Sequence, residues 1–168
     1  MTDSPRIAVC PGTYDPITNG HLDIITRAAS TFDEVVVAVV HRPHRKGTTL
    51  FDIEERLSFI REATADLPNV RVQTFRTLIV EFAREVGAQA IVKGLRAISD
   101  FEYELEMFQM NRHVAPEIDT FYLMASPGFS FLSSSGVKEL AAFGGNVDAL
   151  VQARVAQRLQ EELGGPRN

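Results

Sequence analysis

Four short segments hold most of the side chains that could do chemistry. Pro11-Gly12-Thr13-Tyr14-Asp15-Pro16-Ile17-Thr18-Asn19-Gly20-His21 combines hydroxyls, an imidazole and glycines. His41-Arg42-Pro43-His44-Arg45-Lys46-Gly47 is basic, and Lys93-Gly94-Leu95-Arg96 sets two cations around a glycine. Ser126-Pro127-Gly128-Phe129-Ser130-Phe131-Leu132-Ser133-Ser134-Ser135 is rich in hydroxyls. Each offers groups that hold phosphate oxygens: N–H groups beside glycine, hydroxyls, imidazole, Lys or Arg. The chain as a whole is acidic, with 17 Lys and Arg against 22 Asp and Glu and a net charge of −5 at pH 7. That balance argues against general nucleic-acid binding, so an anion must be held by a local basic pocket. The segments together imply a site for a polyanionic, phosphate-bearing ligand.

Single residues sharpen this. Gly20 permits close backbone approach, and His21 falls in the first turn of an expected helix, where orphan N–H groups favour an anion. An imidazole there can donate to a phosphate oxygen as charge builds. Lys93 and Arg96 flank a glycine at a strand end, from which both can project over the sheet rim. Ser133-Ser134-Ser135 reads either as a plain helix cap or as a helix start aimed at an anion. His41, His44 and His113 take no further role. Asp100, Glu102, Glu104 and Glu106 recur every second residue, so a helix spreads them over its surface rather than pairing them for acid–base work. The single cysteine, Cys10, excludes an internal disulfide framework and a multi-cysteine zinc site. There is no P-loop, G-x-G-x-x-G, H-E-x-x-H, EF-hand or G-x-S-x-G pattern. What remains is transfer at phosphorus without a covalent enzyme intermediate, which depends on positioning and charge stabilisation.

The elements that must position these residues alternate along the chain. Ile7 to Cys10, Val35 to Val40, Val70 to Phe75, Ala90 to Val92 and Thr120 to Met124 read as strands. Helices are expected at His21 to Phe32, from an Asp52 cap with Glu55 as reciprocal partner to about Ala65, and at Leu78 to Val86, closed by Gly87. Further helices are expected at Asp100 to Asn111, Ser134 to Phe143 and Asp148 to Leu163. The unbroken β-branched run at Val35 to Val40 marks a strand covered on both faces. The expectation is an α/β, Rossmann-like single domain over residues 1–168, with a five-stranded parallel sheet and helices on both faces. Its ends, about 1–5 and 164–168, are expected to be flexible. Ligands in such sheets bind beyond the strands' carboxyl ends, near the point where strand order reverses. No apolar run approaches the ~20 residues that span a bilayer, and the opening residues lack signal-peptide character. A soluble, cytoplasmic protein is expected.

The set Pro11 to His21, Lys93-Gly94-Leu95-Arg96, Asp100-Phe101-Glu102-Tyr103-Glu104, Met110-Asn111-Arg112-His113 and Ser130-Phe131-Leu132-Ser133-Ser134-Ser135-Gly136-Val137-Lys138 resembles the bacterial phosphopantetheine adenylyltransferases. These belong to the nucleotidyltransferase superfamily with the (H/T)-x-G-H motif, and the resemblance runs from about Arg6 to Leu163 in family order. It implies adenylyl transfer from ATP to 4′-phosphopantetheine, giving dephospho-coenzyme A and pyrophosphate by in-line attack. In the roles it implies, His21 stabilises the transition state, and Thr13 orients the attacking phosphate and touches the nucleotide. Lys93 holds the pantetheine phosphate and Ile79 contacts the pantetheine arm. Tyr14, Gly94, Leu95, Arg96, Glu104 and Phe129 to Ser135 (Phe129, Ser130, Phe131, Leu132, Ser133, Ser134, Ser135) match ATP contacts. Magnesium is implied with ATP, a homohexamer built as a dimer of trimers as the assembly, and coenzyme A as a feedback inhibitor.

The chain departs from that pattern in places. Arg45 stands where the family has lysine, with Lys46 next, and residues 47–51 look longer than usual. Phe129 lacks the polar handle of the aromatic it replaces, and the last helix lacks a proline near its start. The rival readings are a transferase for another phosphate, such as nicotinamide mononucleotide or glycerol phosphate, and a non-catalytic nucleotide-binding module. A fragment of an aminoacyl-tRNA synthetase is disfavoured by the short length and the lack of a K-M-S-K-S-like loop.

Overall fold

The computed structural model describes residues 4–41 and 47–164. Five strands, β1 (Ile7–Gly12), β2 (Glu34–Val40), β3 (Val70–Phe75), β4 (Ala90–Leu95) and β5 (Asp119–Met124), form one sheet in the order β3-β2-β1-β4-β5. All four pairings are parallel. The helices are α1 (Asn19–Ala29), α2 (Ile53–Ala63), α3 (Ile79–Glu85), α4 (Ile98–Val114), α5 (Ser134–Ala142) and α6 (Ala153–Leu163). This is the expected Rossmann-like α/β architecture. Strand order reverses at β1, so the crevice lies between the carboxyl ends of β1 and β4. The flexible ends expected at about 1–5 and 164–168 fall largely outside the described residues.

The central strands are apolar on both sides because both sides are covered. Cys10, Val35, Val37, Val39 and Val92 pack on one face with residues of α1, α2, α5 and α6. Val9, Val36, Ala38 and Ile91 alternate onto the other face, against Val80, Phe82 and Ala83 of α3 and against Ala115 and Ile118. Each such valine at or near zero exposure contributes about 2 kcal/mol of burial free energy.

Several boundaries differ from the expected ones for local reasons. β1 continues through Pro11 and Gly12, which pair with Ala38 and Val39. β4 continues through Lys93, Gly94 and Leu95, paired with Tyr122, Leu123 and Met124, so Lys93 stands on a strand rather than in a loop. A Cβ on Gly94 would come within 2.9 Å of the Ile24 side chain, and its absence lets α1 lie against the strand. The last helix begins at Ala153, not Asp148. Residues 146–152 form turns instead: Asn146 Oδ1 accepts from the Asp148 N–H and the Leu150 carbonyl accepts from the Asn19 N–H, both within 3 Å. That stretch is used to brace the start of α1.

Candidate active site

The site is built around the start of α1. Thr18 is the N-cap: its hydroxyl accepts from the His21 N–H at 3.4 Å, and its own N–H donates to His21 Nδ1 at 3.0 Å. This is a capping box with imidazole in place of the usual Glu or Gln. A backbone N–H can only donate, so Nδ1 is the acceptor and the ring proton sits on Nε2. The cap thus fixes both the ring's orientation and its tautomer. Tyr14 supports the other side, its ring edge-on to the imidazole with centroids 5.1 Å apart. Tyr14 holds the left-handed conformation (φ 50°), is buried, and donates its hydroxyl to the Cys10 carbonyl at 3.0 Å. A Cβ on Gly12 would stand 2.8 Å from the Tyr14 ring, so only glycine leaves that ring in place.

Two cavities flank this loop. One, of about 300 Å³, is lined by Thr13, Thr18, Gly20, His21, Gly94, Arg96, Phe129, Leu132 and Ser133 to Ser135, among others. The second, of about 170 Å³, is more apolar and is lined by Val40, Phe75, Ile79, Tyr103, Met107, Asn111 and Tyr122, among others. Pro11, Gly12, Thr13, Lys93 and Glu104 line both. The two compartments therefore meet at one hydroxyl, one ammonium and one carboxylate.

The charged groups there hold one another. Lys93 Nζ lies 2.6 Å from Glu104 Oε1, and Glu104 Oε2 is buried with no hydrogen-bond partner. Tyr122 donates its hydroxyl to the Glu104 carbonyl at 3.0 Å, and burial, with the nearby Glu104 charge, pushes its pKa up to about 12. Arg96 pairs with Asp100 at 3.2 Å and donates to the Leu132 carbonyl at 2.8 Å, which staples the first turn of α4 to the 126–133 loop. Ser133 is the N-cap of α5, accepting from the Gly136 N–H at 3.0 Å, and Ser134 donates to the Pro16 carbonyl at 2.8 Å. The plain capping role of the serine run is thus present, and the same residues line the larger cavity. Burial pushes the Cys10 thiol up to about 12, which keeps it protonated and unreactive.

Of the residues singled out from the sequence, Thr13, His21, Gly94, Arg96, Glu104, Phe129, Leu132, Ser133, Ser134 and Ser135 converge on the larger cavity, and Lys93 faces both. Ile79 lines the smaller one. Tyr14 and Leu95 are buried and line neither cavity as they stand. Ser130 and Phe131 are on the exposed part of their loop, Phe131 at 69%. Arg45 and Lys46 lie outside the described residues.

Sequence reasoning missed two anchors. Asp15 is buried and accepts from the N–H groups of Leu50 and Phe51, each at 2.9 Å, and from Lys138 Nζ at 2.7 Å. Arg56 is 1% exposed and donates to the carbonyls of Thr13, Val40 and His41. A signal was available for Arg56: it stands three and four residues before Phe59 and Ile60, on the buried stripe of α2.

Comparison with known proteins places this geometry. Residues 9–140 match the family described as cytidylyltransferase-like. The chain is 53% identical over 155 residues to a phosphopantetheine adenylyltransferase from Herpetosiphon aurantiacus, covering 92% of this chain and 93% of that protein. It is 52% identical over 159 residues to one from Desulforudis audaxviator, covering 95% and 96% respectively. The crystal structure of a lipopolysaccharide core biosynthesis protein from Thermoplasma volcanium is similar in fold, with a TM-score of 0.54 at 21% identity over 73% of this chain and 98% of that one. Identity above one half over more than nine-tenths of the length, on a sheet whose switch point carries the Thr18–His21 cap, makes this chain a member of the phosphopantetheine adenylyltransferase family.

Proposed function

We propose that the chain transfers the adenylyl group of ATP to 4′-phosphopantetheine, giving dephospho-coenzyme A and pyrophosphate, the penultimate step of coenzyme A synthesis. The observation that carries this reading is the pair of cavities joined at Thr13, Lys93 and Glu104. The polar one, rimmed by Gly94, Arg96 and the start of α5, suits a nucleoside triphosphate. The apolar one, with Ile79 at its wall, suits a pantetheine arm. A phosphate at the junction lies between them.

In this mechanism an oxygen of the acceptor phosphate attacks the α-phosphorus in line. The bond from that phosphorus to the bridging oxygen breaks, and pyrophosphate leaves with the electron pair. Two anions must approach, so their repulsion has to be offset before reaction. Lys93 exchanges Glu104 for the acceptor phosphate, with Arg45 as a second cation, and Thr13 orients the attacking group. Nε2–H of His21 donates to the oxygens on which charge gathers, where a fixed donor is worth most. No proton leaves the enzyme's own groups and no covalent adduct with it forms. Among the described residues no group of three His, Cys, Asp or Glu side chains converges as a metal cage. Magnesium bound with ATP would supply charge neutralisation on the triphosphate, with phosphate oxygens and water as its main ligands.

The same reading includes the assembly and its control. Phe101, Tyr103, Leu105, Met110 and Val114 of α4 are exposed by 41 to 51%, apolar area available to subunit contacts, and the assembly in this reading is a homohexamer built as a dimer of trimers. Coenzyme A, which carries both halves of the product, acts as a feedback inhibitor. No helix of the described residues is long and apolar enough to cross a membrane. A cytoplasmic location belongs to the same proposal.

The test is pyrophosphate release with ATP and magnesium, with and without 4′-phosphopantetheine. Release that requires the acceptor is expected. A folded protein that binds ATP yet stays silent, or that turns over only with nicotinamide mononucleotide or glycerol phosphate, overturns the reading. Sedimentation at working concentration tests the assembly, and a stable monomer refutes it.

A further inference from the structure

Where β1 and β2 part, their ladder is replaced by a side chain. The last paired residues are Gly12 and Val39. Beyond that rung the ladder between the two strands stops, at the next carbonyls, Thr13 and Val40. The Arg56 guanidinium fills the gap: Nη1 donates to the Thr13 carbonyl at 2.8 Å and to the Val40 carbonyl at 3.0 Å, and Nη2 donates to the His41 carbonyl at 3.2 Å. The charges of Asp15 and Asp52 favour it electrostatically, but its hydrogen bonds among the described residues go to these carbonyls, and its Nε is buried without a partner. A cation is a costly filler for an interior position, where an apolar side chain of like volume often does as well or better. The function of this one is to be sought in what it holds.

It holds two segments the reaction needs. Thr13 lines both cavities, and Val40 lines the acceptor cavity. Residues 40 and 41 also launch the basic stretch 42–46. Asp15 moors the far end of that stretch through the N–H groups of Leu50 and Phe51. Both flanks of the stretch are thus fastened to the Thr13–Asp15 segment, one by a buried cation and one by a buried anion.

We propose that Arg56 is a positioning residue for the acceptor phosphate: its guanidinium fork fixes the separation between Thr13 and the end of β2. It touches no substrate. The fork matters because one planar group must serve three carbonyls, which an ammonium cannot do in the same geometry. This inference rests on the adenylyl-transfer reading, and its test carries a readout that does not.

The experiment compares wild type with Arg56→Met and Arg56→Lys by amide hydrogen exchange and by steady-state kinetics. In Arg56→Met, amides at residues 13–15 and 39–41 should exchange about ten-fold faster than in wild type, with α5 and α6 unchanged. KM for 4′-phosphopantetheine should rise about ten-fold while the Kd for ATP stays within about two-fold, with Arg56→Lys intermediate. Exchange that is unaltered at those two segments, or a loss shared equally by both substrates, overturns the proposal. If Arg56→Met fails to fold, Arg56→Lys carries the same comparison. If wild type gives no acceptor-dependent pyrophosphate, the functional reading falls, and the exchange pattern alone decides whether Arg56 holds the two segments together.

Discussion

His21 is held by a contact that could be read as either motif or cap, and it is both. The Thr18–His21 spacing was legible as a phosphate-site motif, but the reciprocal hydrogen bonds were not, because imidazole is not the usual partner in a capping box. The consequence at the residue scale is a donor whose proton is fixed on Nε2 by a main-chain N–H. His21→Ala should therefore lower turnover by about 10²- to 10³-fold while the Kd for ATP changes only a few-fold. Single-turnover pyrophosphate release beside equilibrium nucleotide binding checks this, and an unchanged rate would remove His21 from the mechanism. Tyr14 shows what the sequence hides at this scale. It reads as a loop residue beside the ligand, yet its φ of 50° turns it inward against the imidazole, and the bare Gly12 makes the space.

Among elements, the strands and the helix order were legible because the apolar periods differ so plainly: an unbroken run at Val35 to Val40 against spaced residues in the helices. Ends were less so. β4 runs on through Lys93 and Gly94 because β5 keeps pairing with it, a contact distant in sequence. The start of α6 was displaced by the bracing of Asn19, again from 131 residues away along the chain. Asp15 was invisible for the same reason: its partners come from residues 50–51 and from α5. It joins β1's loop to both, so Asp15→Asn should destabilise the fold by about 2 kcal/mol. Lys138 is 28% exposed, and Lys138→Met should cost less, under about 1 kcal/mol. Urea unfolding of the two variants measures the difference, and equal losses would show that the backbone contacts of Asp15 contribute little.

At the scale of the whole molecule, the fold class was legible, and the cavities lined by the candidate residues lie where the switch-point rule points. The protonation of the interior was not. Burial pushes Cys10 up to about 12 from an ordinary 9.0, and Tyr122 up to about 12 from an ordinary 10.0. Tyr14 is raised well above its ordinary value, also by burial. Between pH 9 and 12 the unfolded chain releases protons that the folded chain retains. Stability should fall as pH rises through that window and be level with respect to these groups below it. The midpoint of thermal unfolding, scanned from pH 8 to about 11, should drop, and Cys10→Ala should make the drop shallower. A parallel decline in the variant would assign it to other groups.

The Lys93–Glu104 pair has a bearing on selectivity. An empty site that presented a bare ammonium would attract sulfate, inorganic phosphate and every other small anion in its surroundings. This one rests electrically balanced, its cation 2.6 Å from its own carboxylate. On the proposed reaction, an anion with a further anchor, such as an arm seated in the apolar compartment, is the one expected to displace Glu104. Glu104→Gln should accordingly make sulfate a stronger inhibitor, visible as a lower inhibition constant against the acceptor. On the adenylyl-transfer reading the carboxylate is an internal decoy, expected to exclude the wrong anions by occupying their place, and an unchanged inhibition constant would refute that role.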